Sequence, residues 1–244
     1  MNKEKNLIYF TMGNKNYIEI AKLCVDSIVK TGYEGDFLFI TDEKNQIQNN
    51  FNIKNQIYFM ETDKTNLMFS SANKLKIYSW EHVNEYDKFI FSDLDILWFI
   101  HPDIIFEKIK QSKIYFTQHI NPDSIVHSLF GGDLLNENEK QIYQKSKSVN
   151  AGFFCFSTNQ LSHFHEMEKY LNDNFHKRNV CLEQPYINVY CTKHELIDTS
   201  LNEFVTHDGY HATQKIKPII HFAGGPGNVG FKYDKMKTFL DRVN

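Results

Sequence analysis

The sequence predicts an α/β fold with a Rossmann-like, mostly parallel central sheet that is flanked by helices. Short apolar runs rich in β-branched and aromatic residues, which are typical of buried strands, alternate with segments of helical periodicity. Such alternation gives parallel strands whose crossover helices cover both faces of the sheet. With 244 residues, 41% hydrophobic and 15% aromatic, the chain can build a large core, and the composition excludes a disordered protein.

The first half of the chain shows this alternation most clearly. Residues 7–11 form an apolar run, and apolar residues then recur at helical spacing from Tyr17 to Ile28, before Thr31-Gly32 ends the helix. The predicted elements that follow are strand 37–41, a polar loop over 42–50, strand 57–60, a helix over 70–82 and strand 89–94.

The second half is less regular but still predicts strands and a helix. The polar segment 121–148, which contains Gly131-Gly132, is predicted to form an excursion or lid. No linker or internal repeat divides the chain, so residues 1–244 are predicted to form one domain with an elaborated C-terminal half. The predicted elements of this half are strands 114–117, 153–156 and 219–222 and a helix over 159–176.

Charge and hydropathy exclude several classes of protein. A net charge of −3 gives no basic field for nucleic acid. No apolar stretch approaches the ~20 residues that span a bilayer, and no signal peptide is visible, so a cytoplasmic protein without a membrane span is expected. The four cysteines form no CxxC pair, which favours buried free thiols. Nothing in the pattern indicates the oligomeric state.

The segment around Asp93 and Asp95 is the most informative part of the chain. Apolar residues 89–91 and 96–98 flank these carboxylates, and a carboxylate in a buried strand is costly unless its charge is compensated. Side chains at i and i+2 of an extended backbone point the same way, so the pair is suited to a divalent cation and a phosphorylated substrate. The alternative is a capped strand end whose aspartates hold loop amides.

Six short motifs, in this order and spacing, give the chain a resemblance to the retaining GT-A glycosyltransferases, especially family 8. The phrase Ser92-Asp-Leu-Asp-Ile-Leu-Trp98 also resembles the family 77 nucleotide-diphospho-sugar transferases. The six motifs are Thr11-Met-Gly13-Asn14 with Tyr17, Asn73-Lys74-Leu75, Asp93-Leu-Asp95, Asn150-Ala-Gly152, Glu183-Gln184-Pro185 and His221-Phe-Ala-Gly224.

This resemblance implies a GT-A fold and a metal-dependent enzyme. The resemblance implies transfer of a hexose from a UDP-linked nucleotide sugar to a hydroxyl acceptor on a glycan or protein, with retention at the anomeric carbon. Residues up to about 100 would bind the nucleotide, and residues from about 101 to 244 would bind the donor sugar and acceptor.

The resemblance also implies a set of metal and phosphate ligands. Asp93, Asp95 and His221 would hold the cation, and a histidine beside oxygen ligands favours Mn²⁺ over Mg²⁺. Backbone amides at Gly224 would approach the diphosphate. The Lys-Pro-Trp triplet usual in family 8 is absent, so Lys232 is only a candidate for its role. Lys74 is the other candidate cation, with a solvated lysine as the alternative.

A second group of candidate residues would bind the nucleotide. Thr11, Gly13 and Asn14 would hold the base or ribose at the end of the first strand. Tyr17 would pack against uracil.

The donor sugar is expected near the later motifs. Asn150 would bind a sugar hydroxyl, and Gly152 would let the ring approach the backbone; a buried strand entry is the alternative. Glu183 and Gln184 would contact the sugar and act in catalysis beside Asp95, and Glu183 is the candidate if a covalent nucleophile exists. Side chains that pair with substrate hydroxyls govern specificity.

The sequence leaves two other functions open. A sugar nucleotidyltransferase would also use carboxylates and a metal, but it usually has a Gly-rich, basic first loop, where this chain has only Gly13 and Lys15. A nucleotide-sugar-binding module without transferase activity is the non-enzyme alternative. The other histidines, His207 and His211 among them, are expected to be structural or solvated.

Overall fold

The computed structural model describes residues 4–62, 71–119, 122–177, 180–207, 209, 211, 217–223 and 229–243. The chain is an α/β protein with a seven-stranded, mostly parallel central sheet in the order β3-β2-β1-β4-β7-β6-β8, and β5, β10 and β9 form a second, three-stranded sheet. The strands are β1 Asn6–Met12, β2 Asp36–Thr41, β3 Ile57–Met60, β4 Lys88–Ser92, β5 Ile96–Trp98, β6 Ile114–Thr117, β7 Asn150–Ser157, β8 Ile197–Asp198, β9 Val205–Thr206 and β10 Ile219–His221.

Helices cover the sheet on both faces, as the sequence predicts. The α-helices are α1 Ile18–Val29, α2 Lys44–Asn50, α3 Asp103–Phe106, α4 Glu137–Ile142, α5 Leu161–Asp173, α6 Gln184–Lys193 and α7 Val229–Val243, with longer 3₁₀ segments at Asn73–Ser79 and Ser200–Glu203. None of these helices is long and apolar enough to cross a bilayer.

The core lies in two layers on opposite faces of the sheet. Successive residues of a strand point to opposite faces, and β1 shows this directly. Leu7 and Tyr9 pack in the cluster that contains α5 and α6, whereas Ile8 and Phe10 pack in the cluster that contains α1 and α7. This burial on both faces explains why β1 reads as a continuous apolar run.

The strand order fixes where a ligand can bind. β1 pairs in parallel with both β2 and β4, and the chain passes to opposite sides of β1 as it adds these strands. The carboxyl ends of β1 and β4 therefore flank a topological switch point, where open α/β sheets bind their ligands. β7 runs antiparallel to both of its neighbours, β4 and β6, so the sheet is mixed at this side.

Several sequence predictions need correction. Segment 42–50 contains helix α2 and is not only a loop, because Ile47 is buried on the core. The predicted helix over 70–82 is largely a 3₁₀ segment, Asn73–Ser79, within the described residues. The predicted helix over 159–176 contains α5, flanked by 3₁₀ turns.

The described part of the polar segment, residues 122–148, packs on the fold. Asn188 of α6 accepts a hydrogen bond from the Val149 amide at 2.9 Å and donates one to the Phe130 carbonyl at 3.1 Å. Ile125 and Leu134 are buried in the core. The predicted excursion is therefore tied to α6 rather than projecting as a separate lid.

Candidate functional site

A cleft of about 800 Å³ lies at the carboxyl ends of β1 and β4. Its walls come from the β1–α1 connection, the β4–β5 turn, the segment before α6 and the start of α7. Nine residues singled out from the sequence line it: Thr11, Gly13, Asn14, Tyr17, Lys74, Asp93, Asp95, Glu183 and Lys232.

Asp93 and Asp95 reach the cleft in a way that the sequence did not predict. Asp93 directly follows β4, and Leu94-Asp95 form a turn that leads into β5 of the other sheet. The prediction that both aspartates lie on one extended strand is therefore wrong. The two carboxylates converge because the chain turns between two sheets.

His221 joins the aspartates through strand pairing. It ends β10, where it lies opposite Ile96 of β5, and the Phe222 amide donates to the Asp95 carbonyl at 2.9 Å. This pairing brings His221 Nε2 to 3.2 Å from Asp95 Oδ1 and 3.9 Å from Asp93 Oδ2. The ligand atoms of the three residues all lie within 4.8 Å of one another.

Gly152 keeps space open between these ligands. The Asp93 amide donates to the Gly152 carbonyl at 2.7 Å, so Gly152 of β7 stands beside Asp93. A Cβ atom at this position would lie 2.4 Å from His221 Cε1 and 2.5 Å from Asp93 Oδ2. The Gly152 amide donates to Asn150 Oδ1 at 2.8 Å, which uses the Asn150 carbonyl oxygen inside the protein.

The donor set fits a divalent cation. Two carboxylates from the β4–β5 connection and one imidazole from β10 supply hard oxygen ligands and one nitrogen, and the missing side chain at Gly152 leaves the space between them clear. Among the described residues, Asp93, Asp95 and His221 could therefore bind a metal ion.

The two aspartates differ electrostatically. Burial raises the pKa of Asp95, but His221 and Lys232, whose ammonium contacts Asp95 Oδ2, outweigh it and hold the pKa well below its usual range. For Asp93, burial raises the pKa, and the opposing effect of Lys74 is too small to cancel it. Asp95 is thus the more firmly ionised carboxylate.

Lys74 is buried at the floor of the cleft, so the alternative of a solvated lysine is wrong. Its Nζ lies 2.7 Å from Glu183 Oε1 and 3.5 Å from Asp93 Oδ1, and it donates to the Ala151 carbonyl at 3.0 Å. Burial lowers the pKa of Lys74, but Asp93 and Glu183 outweigh this effect, and the net pKa lies above its usual value. Lys74 therefore stays charged and ties the two carboxylates together.

His207, for which the sequence indicated only a structural or solvated role, lies directly behind His221. Its Nδ1 is 2.9 Å from His221 Nδ1, and its Nε2 is 2.8 Å from Thr117 Oγ1. Burial and the neighbouring His221 lower the pKa of His207 to about 2.

A signal for His207 did exist in the sequence. His207 follows Phe204-Val205-Thr206 and His221 follows Ile219-Ile220, and β9 and β10 pair in parallel, with Val205 beside Ile219 and Thr206 beside Ile220. The next pair in this register is His207 and His221.

The nucleotide candidates lie at the β1 end of the cleft. Asn14 Oδ1 accepts from the Asn16 amide at 3.0 Å and so caps the 3₁₀ turn Lys15–Tyr17 that precedes α1. Tyr17 is half-buried beside Ile20, and both line the cleft. These residues are brought together by the single connection from β1 to α1.

Four of the predicted site residues, His221 among them, lie outside the cleft lining, and one lies outside the described residues. Asn150 and Gly152 stand behind Asp93, and Gln184 is half-buried as the first residue of α6. Gly224 falls outside the described residues. The cleft is also lined by residues that the sequence did not single out, including Glu43, Thr62 and the apolar pair Val180 and Leu182.

Comparison with known proteins gives no family assignment. No protein-family model matches the chain, and no match to a curated protein is significant.

Proposed function

We propose that this protein is a metal-dependent retaining glycosyltransferase of the GT-A type. It transfers a hexose from a nucleotide sugar, UDP-linked, to a hydroxyl acceptor on a glycan or protein. The observation that carries the proposal is the convergence of Asp93, Asp95 and His221 at the switch point of an α/β sheet, beside a cleft of about 800 Å³. This volume lies within the ~300–1,000 Å³ that is usual for small-molecule sites.

The charges of the cleft support a diphosphate substrate. Mn²⁺ or Mg²⁺, when bound by Asp93, Asp95 and His221, would supply Lewis-acid stabilisation of the departing nucleoside diphosphate. The nitrogen ligand of His221 favours Mn²⁺. Lys232 contacts Asp95 and lines the cleft, so its ammonium adds positive charge near the phosphates.

The two ends of the cleft suit the two ends of a nucleotide sugar. Tyr17 offers an aromatic ring for the base at the β1 end, and Thr11 and Asn14 offer hydrogen-bonding groups for base or ribose. Glu183 lies at the other side of Asp93, where the buried ammonium of Lys74 links both carboxylates. The donor sugar would lie on the cleft side of Asp93 and Glu183.

Retention follows from reaction on one face of the sugar. The bond from the anomeric carbon to the phosphate oxygen breaks, the acceptor oxygen forms the new bond on the same face, and the acceptor proton passes to a phosphate oxygen of the leaving group. Glu183 then stabilises positive charge that develops on the sugar ring. A covalent route would instead use Glu183 as nucleophile, with the Lys74 ammonium 2.7 Å from its Oε1.

A donor screen tests the proposal. Purified protein is incubated with Mn²⁺ and with UDP- or GDP-linked hexoses, and release of the nucleoside diphosphate is measured with and without chelator. We expect one UDP-sugar to be hydrolysed slowly in a Mn²⁺-dependent manner. Tight binding without turnover, with or without acceptors, would instead favour a nucleotide-sugar-binding module, and pyrophosphate release from UTP and a sugar phosphate would favour a nucleotidyltransferase.

A further inference from the structure

His207 is built into the fold as the neighbour of a candidate metal ligand. It is 7% exposed, Thr117 on its far side is fully buried, and His221 is 3% exposed. The contacts run in one line, from Thr117 Oγ1 to His207 Nε2 at 2.8 Å, and from His207 Nδ1 to His221 Nδ1 at 2.9 Å. The other ring nitrogen of His221 faces Asp95 at 3.2 Å.

This line of contacts constrains where the protons lie. A short contact between two imidazole nitrogens needs one donor and one acceptor. If His207 donates, His221 accepts at Nδ1 and carries its proton on Nε2, pointing at Asp95, which blocks a cation. If His221 donates, its Nε2 lone pair faces Asp95 and Asp93, and His207 carries its own proton on Nε2, donating to Thr117.

We propose that His207 is a positioning residue of the metal site, which accepts a hydrogen bond from His221 Nδ1–H and so presents the His221 Nε2 lone pair to a divalent cation between Asp93 and Asp95. The inference rests on the metal site of the proposed function. Groups that accept a hydrogen bond from a ligating histidine fix its tautomer and ring orientation, and their loss typically weakens metal affinity by ~10–100-fold. A neutral imidazole does this without adding a third negative charge next to the two aspartates.

Two variants of nearly the same shape separate hydrogen bonding from packing. His207→Asn keeps an acceptor, because its Oδ1 takes a position close to that of Nδ1, whereas His207→Leu has the same branching and no acceptor. We expect His207→Leu to bind Mn²⁺ about 10–100-fold more weakly than the unaltered protein, and His207→Asn to stay within about threefold of it. The free Mn²⁺ signal in electron paramagnetic resonance, in the absence of nucleotide, measures this affinity.

The outcomes are distinct. Equal Mn²⁺ affinity for His207→Leu and the unaltered protein would overturn the proposal, and so would an Asn variant as weak as the Leu variant with an unchanged circular dichroism spectrum. Mn²⁺ affinity that depends on residue 207 in a protein that transfers no sugar would support this inference and overturn the proposed function. An unaltered protein that binds no Mn²⁺ would overturn both.

A measurement on the unaltered protein covers the case in which a variant fails to fold. Long-range ¹⁵N–¹H spectra distinguish the two imidazole tautomers, and saturating Mg²⁺ provides a diamagnetic ion. We expect His221 to carry its proton on Nδ1 and His207 on Nε2 in the presence of Mg²⁺. A proton on His207 Nδ1 under these conditions would reject the proposal, whatever the catalytic activity.

Discussion

The two walls of the cleft are built in different ways. One wall comes from the carboxyl ends of neighbouring parallel strands, β1 and β4, whose register places Thr11 and Asp93 at one edge of the sheet. The other wall comes from Glu183 and Lys232, which are held by ion pairs to Lys74 and Asp95, far away in sequence. The first wall thus depends on backbone pairing and the second on charge, so substitutions should affect them differently.

Removing the charge of Asp95, which lies between the two walls, should have the largest effect on turnover. Asp95→Asn keeps the shape of the side chain but removes an anionic ligand and the partner of both His221 and Lys232. We expect turnover to fall by on the order of 10³-fold, about 4 kcal/mol of transition-state stabilisation. UDP affinity should also lose its dependence on Mn²⁺, which calorimetry with and without chelator measures.

Asp103→Asn is a suitable control because Asp103 is an exposed aspartate outside the cleft lining. It should leave both turnover and Mn²⁺-dependent UDP affinity unchanged. Full activity of Asp95→Asn would exclude a metal role for this carboxylate.

The buried ion pair should make the second wall depend on charge for its stability. Lys74→Met removes an ammonium whose side chain is 4% exposed and leaves Asp93 and Glu183 without their shared partner. We expect the free energy of unfolding to fall by ~3–5 kcal/mol. Adding Glu183→Gln should recover part of this loss, and urea denaturation of the single and double variants measures the coupling.

Lys76→Met provides the matched comparison, since Lys76 lies on the same 3₁₀ segment and its Nζ is 3.9 Å from Glu168 in a more exposed pair. Its expected loss is at most ~1 kcal/mol. Equal losses of unfolding free energy for the two variants would show that burial of the Lys74 pair contributes nothing to stability.

The variant Gly152→Ala tests whether the metal ligands Asp93 and His221 need the open space beside the Gly152 backbone. The Cβ of Gly152→Ala would collide with the ends of the Asp93 and His221 side chains, which can rotate away, and not with backbone. We therefore expect Mn²⁺ affinity to fall by ~10–100-fold, as for other disturbances of ligand orientation. The melting temperature should change little.

Ser157→Ala, at the opposite end of β7, should leave Mn²⁺ affinity unchanged. If Gly152→Ala bound Mn²⁺ normally, the open space beside the ligands would have no function.

The difference between the walls also explains what the sequence could predict. Strands β1 to β4 and the position of Asp93 follow from local apolar runs, because parallel strands end at the same edge of a sheet. The contact between His207 and His221 follows only once β9 and β10 are known to pair. The contacts of Lys74 do not follow at all, since they depend on which distant side chains pack against it. The turn at Asp95 was missed for a related reason: residues 96–98 are apolar like 89–91, yet they pair with β10 in another sheet.

The last comparison is between the neighbouring residues Glu183 and Gln184, because the sequence assigned both to the donor sugar. Glu183 is buried, lines the cleft and pairs with Lys74, whereas Gln184 begins α6 outside the cleft lining. We expect Glu183→Gln to lower turnover by ~10²-fold, about 3 kcal/mol, and Gln184→Ala by no more than about threefold. Initial rates of transfer at saturating donor measure both. If Gln184→Ala lost as much turnover as Glu183→Gln while UDP affinity stayed constant, the amide would reach the sugar after all. The donor site would then extend from the charged wall onto the first turn of α6.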